Sequence, residues 1–303
     1  MTRVGLCLPQ LGSHVTADVV RGFCESAEEI GFDSLWVQDH FLYPLEPQRP
    51  YGGRSGSTVP EPYRSVLGPT ELLAAAAAWT TTPRLGTSVL VAGNHWPAPL
   101  AQSLATVDLL SGGRLDVGLG VGWNAEEHVA AGTDVATRGR RFDDFLDALL
   151  ACWGEDPVEH HGPYVEVPKS VVRPKPVQSP RPPLISGMWS GAGIERTQRR
   201  FDGWNPAGWT VDAAAEKVAE MNGDRPAGMA PLTVHFRTFL QLPHEADSPA
   251  DAVGRIAAVT AEARRAGFAE VIVEANFWDE VDSAASWLAV PQRCRPILEA
   301  ARG

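Results

Sequence analysis

An apolar run, Leu35-Trp36-Val37, stops at Gln38-Asp39-His40 with Phe41 behind it. A carboxylate beside an imidazole can hold a ligand's N–H and move a proton near neutral pH, where imidazole titrates. Read alone, the pair is a turn-capping aspartate next to a satisfied polar histidine. The other segment ends must decide. Three of them carry small residues beside an aromatic: Ser88, Val89 and Gly93 before Trp96, Gly120 and Gly122 before Trp123, and Gly187-Met188-Trp189-Ser190-Gly191. Small residues let backbone amides approach a ligand, and aromatics stack on a flat one.

Other motifs carry less. Residues 120–125, GVGWNA, fit G-x-G-x-x-A, but no second strand follows at βαβ length to end in a ribose-binding acid. Glu159-His160-His161 has no third ligand placed by spacing and reads as a solvated loop, so no metal is expected. No G-x-S-x-G occurs, which leaves a hydrolase elbow unsupported. Arg138, Arg140 and Arg141 open a helix and read as its solvated face.

The elements that must position these residues alternate regularly. Strands are expected at 4–9, 34–38, 85–91, 115–119, 183–186, 203–205, 232–240 and 270–274. Helices are expected at 18–30, 70–80, 99–110, 138–153, 191–201, 213–221 and 250–266, with a last one beginning over 281–288. Gly31 suits the end of the first helix. A Pro- and Gly-rich loop runs from 40 to 69, and loops this long inside a compact domain are usually functional. Near-continuous apolar strands alternating with helices imply an α/β parallel sheet covered by helices. Eight units close a (β/α)8 TIM barrel, a single domain over 1–303 with loop insertions after strands two and four. An open doubly wound sheet in two domains is the alternative. In the barrel, chemistry sits at the C-terminal strand ends, where every constellation above falls.

Composition narrows the partners. The 303 residues carry a formal charge of −11, which repels nucleic acid and anionic membranes. Cys7, Cys24, Cys152 and Cys294 make no C-x-x-C pair and read as free thiols in a reducing cytoplasm. No secretory signal opens the chain, and the apolar run 72–79 is far short of a membrane span.

GFDSLWVQDHF (31–41), LGTSVL (85–90), ATVDLLSGGRLDVGLGVGWNAEE (105–127), RPKPVQSPRPPLISG (173–187) and FDGWNP (201–206), in that order, resemble the bacterial luciferase-like superfamily. Within it, Asp39-His40 resembles the branch that uses the deazaflavin F420 as hydride carrier; flavin-dependent monooxygenase members more often carry other pairs there. The resemblance implies a (β/α)8 barrel, commonly a homodimer, with the ring lying across the strand ends. Carried over, Asp39 hydrogen-bonds the ring and His40 acts as acid or base near its reactive carbon. Ser88-Val89 falls where such members have a bulge with a non-prolyl cis peptide behind the ring. Met188, Trp189, Ser190 and Gly191 match the loop whose amides hold the cofactor phosphate, and a helix N-terminus just after them suits an anion.

Trp123 stands where sugar-phosphate dehydrogenase members carry a catalytic glutamate, with Glu126 and Glu127 a turn further on, so a sugar phosphate is not the expected substrate. In strand seven, His235 and Arg237 are the basic residues. Trp123, Trp189, Trp96 and Trp209, with Phe41 and Tyr43, imply an aromatic-lined pocket, and Glu126 is placed at its edge. The expectation is an F420-dependent oxidoreductase acting on a C=N, C=C or C=O bond of a small apolar molecule, possible imine reduction included. The alternatives are an FMN-dependent monooxygenase and a non-catalytic flavin-binding barrel.

Overall fold

The computed structural model describes residues 1–51, 56–239 and 249–303. Its elements run β1 (Arg3–Cys7), α1 (Ala17–Ile30), β2 (Ser34–Val37), α2 (Pro69–Trp79), β3 (Arg84–Thr87), β4 (Leu90–Val91), α3 (Pro97–Ser111), β5 (Leu115–Gly120), α4 (Ala125–Ala130) and α5 (Arg138–Trp153). They continue β6 (Val158–His161), β7 (Glu166–Ser170), β8 (Leu184–Ser186), α6 (Gly191–Arg200), β9 (Gly203–Trp204), α7 (Val211–Gly223), β10 (Thr233–Phe239), α8 (Pro249–Arg265), β11 (Glu270–Glu274), α9 (Ala284–Arg293) and α10 (Arg295–Arg302).

The sheet closes on itself. All pairings are parallel, in the order β1, β2, β3, β5, β8, β9, β10, β11, with β11 returning to β1 and β3 bonded to β5. This is the expected eight-stranded barrel. Strand three is two pieces rather than one: the Ser88-Val89 peptide is cis, and β4 resumes after it along β5. The expected end of strand seven at Leu240 lies outside the described residues.

Local chemistry explains the first helix. The Thr16 side chain accepts from Val19 N–H, and Gly31 ends the helix at φ 95°, donating to Ala27 and Glu28 carbonyls. Along the strands, alternate residues face opposite ways. Leu35 and Val37 join the layer against the helices, while Trp36 turns into the barrel with Cys7, Ile185 and Ile272. The indole Nε1 of Trp36 donates to Ser34 Oγ at 2.7 Å, which satisfies its one polar atom in the interior.

Two departures from the expected layout have local causes. The segment after α5 is an antiparallel hairpin, β6 on β7, and not a loop. His160 Nε2 lies 2.7 Å from Asp144 and His161 is shared between Glu159 and Glu166, so the paired histidines serve that hairpin. The chain after β11 forms two helices: Ser283 and Ser286 make a capping box for α9, and α10 restarts at Arg295-Pro296. The four cysteines are buried free thiols. No helix among the described residues is long and apolar enough to cross a membrane.

The barrel interior leaves no room beside Trp36. A Cβ on Gly86 would meet the indole at 2.3 Å, whereas a Cβ on Gly254, in α8, would meet nothing within 4 Å. Gly86→Ala should therefore cost roughly 1–3 kcal/mol or more through overpacking. Gly254→Ala should stabilise by about 0.5–1 kcal/mol through helix propensity. Urea unfolding of the two variants checks the opposite signs; equal effects would refute the packing argument.

Candidate active site

Beyond β2 the chain turns across the strand ends, and Asp39 is buried there. Its Oδ2 accepts the Val91 backbone N–H at 2.8 Å and stands 2.7 Å from His95 Nε2. The carboxylate thus ties the end of strand two to the point where strand three resumes. Both bonds fall on Oδ2, so Oδ1 is left for the cavity that Asp39 borders.

His40 is oriented by a group on another element. Asn124 caps α4 by accepting from the N–H groups of Glu126 and Glu127, at 3.1 and 3.4 Å. That cap turns Glu127 inward to near-complete burial. Its Oε1 accepts the Phe41 N–H at 3.0 Å and stands 3.0 Å from His40 Nδ1. An ionised carboxylate only accepts, so Nδ1 is the donor and Nε2 is left toward the cavity. Tyr63 packs edge-on to the imidazole with centroids 4.5 Å apart, and Trp123 lies at 5.8 Å.

The cavity measures about 360 Å³, within the size range of cofactor and small-molecule sites. The back of it is fixed by a polar lattice around the strand-three interruption. Ser88 Oγ donates to Asn205 Oδ1 at 2.7 Å, and the Ser88 carbonyl accepts from the buried Arg237 guanidinium. Arg237 in turn pairs with Glu274. Met188, Trp189 and Ser190 also border it, with Ser190 the N-cap residue of α6, and so does Arg138. A helix N-terminus beside a guanidinium favours an anion.

Of the residues singled out in the sequence, Asp39, His40, Ser88, Val89, Trp123, Met188, Trp189 and Ser190 border this one cavity. Gly191 is the first residue of α6, just outside the lining. Three residues expected in the substrate pocket lie off this lining, because the long loop turns away where they sit. Phe41 is half exposed and off the lining. Tyr43 donates to Val59 O and Glu61 at the surface, with Arg64 over its ring. Glu126 faces out and accepts the Gln48 N–H at 2.6 Å. Of the other tryptophans, Trp209 packs on Trp204, and Trp96 is 62% exposed.

The structure adds residues that the sequence did not single out for this site. Gln38, Arg49, Tyr51, Tyr63, Asn205, Arg237 and Arg138 all reach the cavity, and Glu127 stands behind His40. Arg138 and Arg141 were expected in solvent; both instead border cavities. A signal for Tyr51 and Tyr63 was present, since aromatics in a long loop rarely stay in water.

Residues 2–263 match the family described as luciferase-like monooxygenase. An uncharacterized protein of Mycobacterium tuberculosis (strain ATCC 25618 / H37Rv) is 34% identical over 179 residues, 59% of this chain and 64% of that protein. The chain thus spans less than two thirds of that relative. The oxygenase component of a flavin-dependent trigonelline monooxygenase from Acinetobacter baylyi is 29% identical, over 53% of this chain and 40% of that protein. Among solved structures, an F420-dependent secondary alcohol dehydrogenase in complex with an F420-acetone adduct superposes with a TM-score of 0.72 at 15% identity, covering 100% of this chain and 99% of that one. The monooxygenase RslO1 from Streptomyces bottropensis superposes with a TM-score of 0.72 at 20% identity, covering 100% of both. At these identities the superpositions establish the fold.

The Asp39–His95 pair makes stability depend on pH with a definite sign. Burial pushes the His95 imidazole down, but the hydrogen bond and charge of Asp39, helped by Glu71, outweigh it and hold it above its ordinary range. The folded state therefore keeps a proton that the unfolded chain releases near pH 6.5. This stabilisation is complete below that pH and is lost as pH rises through the raised value. Asp39→Asn should flatten the decline. Urea unfolding of both proteins in steps from about pH 6 to 9 measures it, and parallel curves would rule the pair out as the source.

Proposed function

Because the chain belongs to the luciferase-like monooxygenase family, we propose that its strand-end cavity takes the deazaflavin F420 and that the protein is an F420-dependent oxidoreductase. The observation that carries the reading is His40, with Nδ1 held on buried Glu127 and Nε2 left toward a cavity that Asp39 shares. An imidazole anchored through Nδ1 on a carboxylate can carry a second proton on Nε2 and give it up beside a ring site, which suits hydride chemistry more than simple storage of a ligand.

The residues present fit such a cofactor. The cavity lies within the size range of cofactor sites and is bordered by Trp123, Tyr51 and Tyr63. Its far end offers Ser190 at a helix N-terminus and Arg138, which forms no ion pair among the described residues. Reduced F420 supplies a hydride when bound. The chain would supply the rest. Asp39 Oδ1 would accept a ring N–H, Ser88 and Val89 would back the ring, and the Met188–Gly191 amides with Arg138 would hold the phosphate. His40 Nε2 would deliver a proton to the substrate atom that gains negative charge, and Glu127 would keep that nitrogen aimed and support the imidazolium. The substrate would be a small, largely apolar molecule with a C=N, C=C or C=O bond, imines included. A homodimer in the cytoplasm belongs to the same reading.

The relative named as a flavin-dependent monooxygenase supports a second reading, with FMN in the same cavity and oxygen as co-substrate.

Parallel fluorescence titrations with F420 and FMN separate the two. F420 bound tightly and FMN weakly is expected; the reverse would move the protein to oxygen chemistry, and binding of either without turnover would leave a ligand-binding barrel. With reduced F420 and an accepted imine or enone, His40→Ala should lower turnover about 10²–10⁴-fold with F420 affinity nearly unchanged. Glu127→Gln keeps an acceptor for the Phe41 N–H but removes the charge behind the imidazole. It should lower turnover by about tenfold or more, again without a matching loss of F420 binding.

A further inference from the structure

A second, smaller cavity of about 190 Å³ lies behind the first, between the end of strand three, α4, the start of α5 and the hairpin. That is roughly six waters' worth of space. None of the residues lining it is acidic, yet two arginines do, Arg138 and Arg141. Among the described residues neither forms an ion pair, whereas Arg196 and Arg200, reaching α5 from α6, are matched to Asp143 and Asp147 of that helix. Arg138 spends one N–H on the Val135 carbonyl at 2.7 Å. Arg141 stacks its guanidinium over the Tyr164 ring at 4.9 Å, which uses its face and not its N–H edges.

Two further polar groups border the same space. Neither Oδ1 nor Nδ2 of Asn94, both enclosed, meets a protein partner. An amide left so costs about 1–3 kcal/mol per unmade bond, and a bound acceptor would relieve the share that falls on Nδ2. His95 borders the cavity, with its Nε2 committed to Asp39 and its Nδ1 in no protein hydrogen bond. The remaining wall is apolar, with Phe142 buried and Trp96 exposed at the mouth.

We propose that this cavity binds a small carboxylate with a compact apolar body, about the size of benzoate. The carboxylate would take the N–H edge of Arg141 with Arg138, Asn94 Nδ2 and His95 Nδ1, and the body would lie against Phe142 and Trp96. Planar bidentate capture of a carboxylate is what an unpaired, stacked guanidinium is built for. The proposal does not rest on which cofactor the larger cavity holds. It adds a link between the two sites, because Arg138 borders both cavities and a ligand on His95 Nδ1 acts on the imidazole that holds Asp39. Binding in either cavity must then alter affinity in the other by the same factor.

The test is calorimetric titration of the unliganded protein with benzoate, with benzyl alcohol as the uncharged control and Trp96 fluorescence as a local readout. Saturable benzoate binding at one site is expected, with little binding of benzyl alcohol. Arg141→Gln, which alters this cavity and not the larger one, should weaken benzoate at least about tenfold. Arg141→Lys should recover part of the loss, and Asn94→Ala should weaken it less than Arg141→Gln does. Circular dichroism confirms that each variant is folded. Equal benzoate affinity across the wild type, Arg141→Gln and Asn94→Ala would overturn the proposal. So would benzyl alcohol binding as well as benzoate, or no benzoate binding to the folded wild type.

Discussion

A carboxylate taken out of water must be given donors by the protein around it. At the strand-end face two such groups, Asp39 and Glu127, are supplied from different parts of the chain. Asp39 draws on the N–H of Val91 and on His95; Glu127 draws on the N–H of Phe41 and on His40. Each acid sits on one side of a gap between elements and its donors on the other. The turn after β2, the resumption of strand three and the start of α4 are thereby locked to one another. The cavity is the space these locks leave, and moving any one of the elements would strip a buried charge of its partners.

The same principle runs down the barrel axis. Near the N-terminal ends of the strands, Glu270 receives His235, Arg3, Ser34 and Trp36. In the middle, Trp36 fills the width that Gly5 and Gly86 leave open. Near the C-terminal ends, Glu274 meets Arg237 and Asn276. The interior is thus polar, then apolar, then polar. The upper polar layer differs from the lower one in what it supports, since Arg237 also holds the Ser88 carbonyl at the wall of the cavity.

The barrel was legible in the sequence because buried parallel strands read as unbroken apolar runs, and eight of them alternate with helices. The strand-end cluster was legible for the same reason: strand ends are where such runs stop. What stayed hidden depended on direction more than on position. Glu126 and Glu127 are neighbours, yet the Asn124 cap sends one to the surface and the other to His40. Phe41 and Tyr43 follow His40 directly, but the loop turns before they can reach the cavity that Tyr51 and Tyr63 enter. The β6–β7 hairpin escaped detection because its exposed residues and Pro168 imitate a loop. Arg138 and Arg141 resembled ordinary solvated charges, and that neither forms an ion pair among the described residues is visible only in three dimensions.

Several described residues of the segment between β2 and α2 bond to the rest of the barrel. Gln10 Nε2 donates to the Leu67 carbonyl, Tyr63 donates to Gln38 Oε1, and Gln48 N–H reaches Glu126. Between these fastenings it carries Arg49, Tyr51 and Tyr63 over the cavity mouth. Asp39 and His40 open this segment, whereas Met188, Trp189 and Ser190 reach the same cavity from after β8. Arg49 and Tyr51 are thus set apart in the chain from Asp39 and His40, so a substitution at either would alter what the cavity admits while leaving that pair in place.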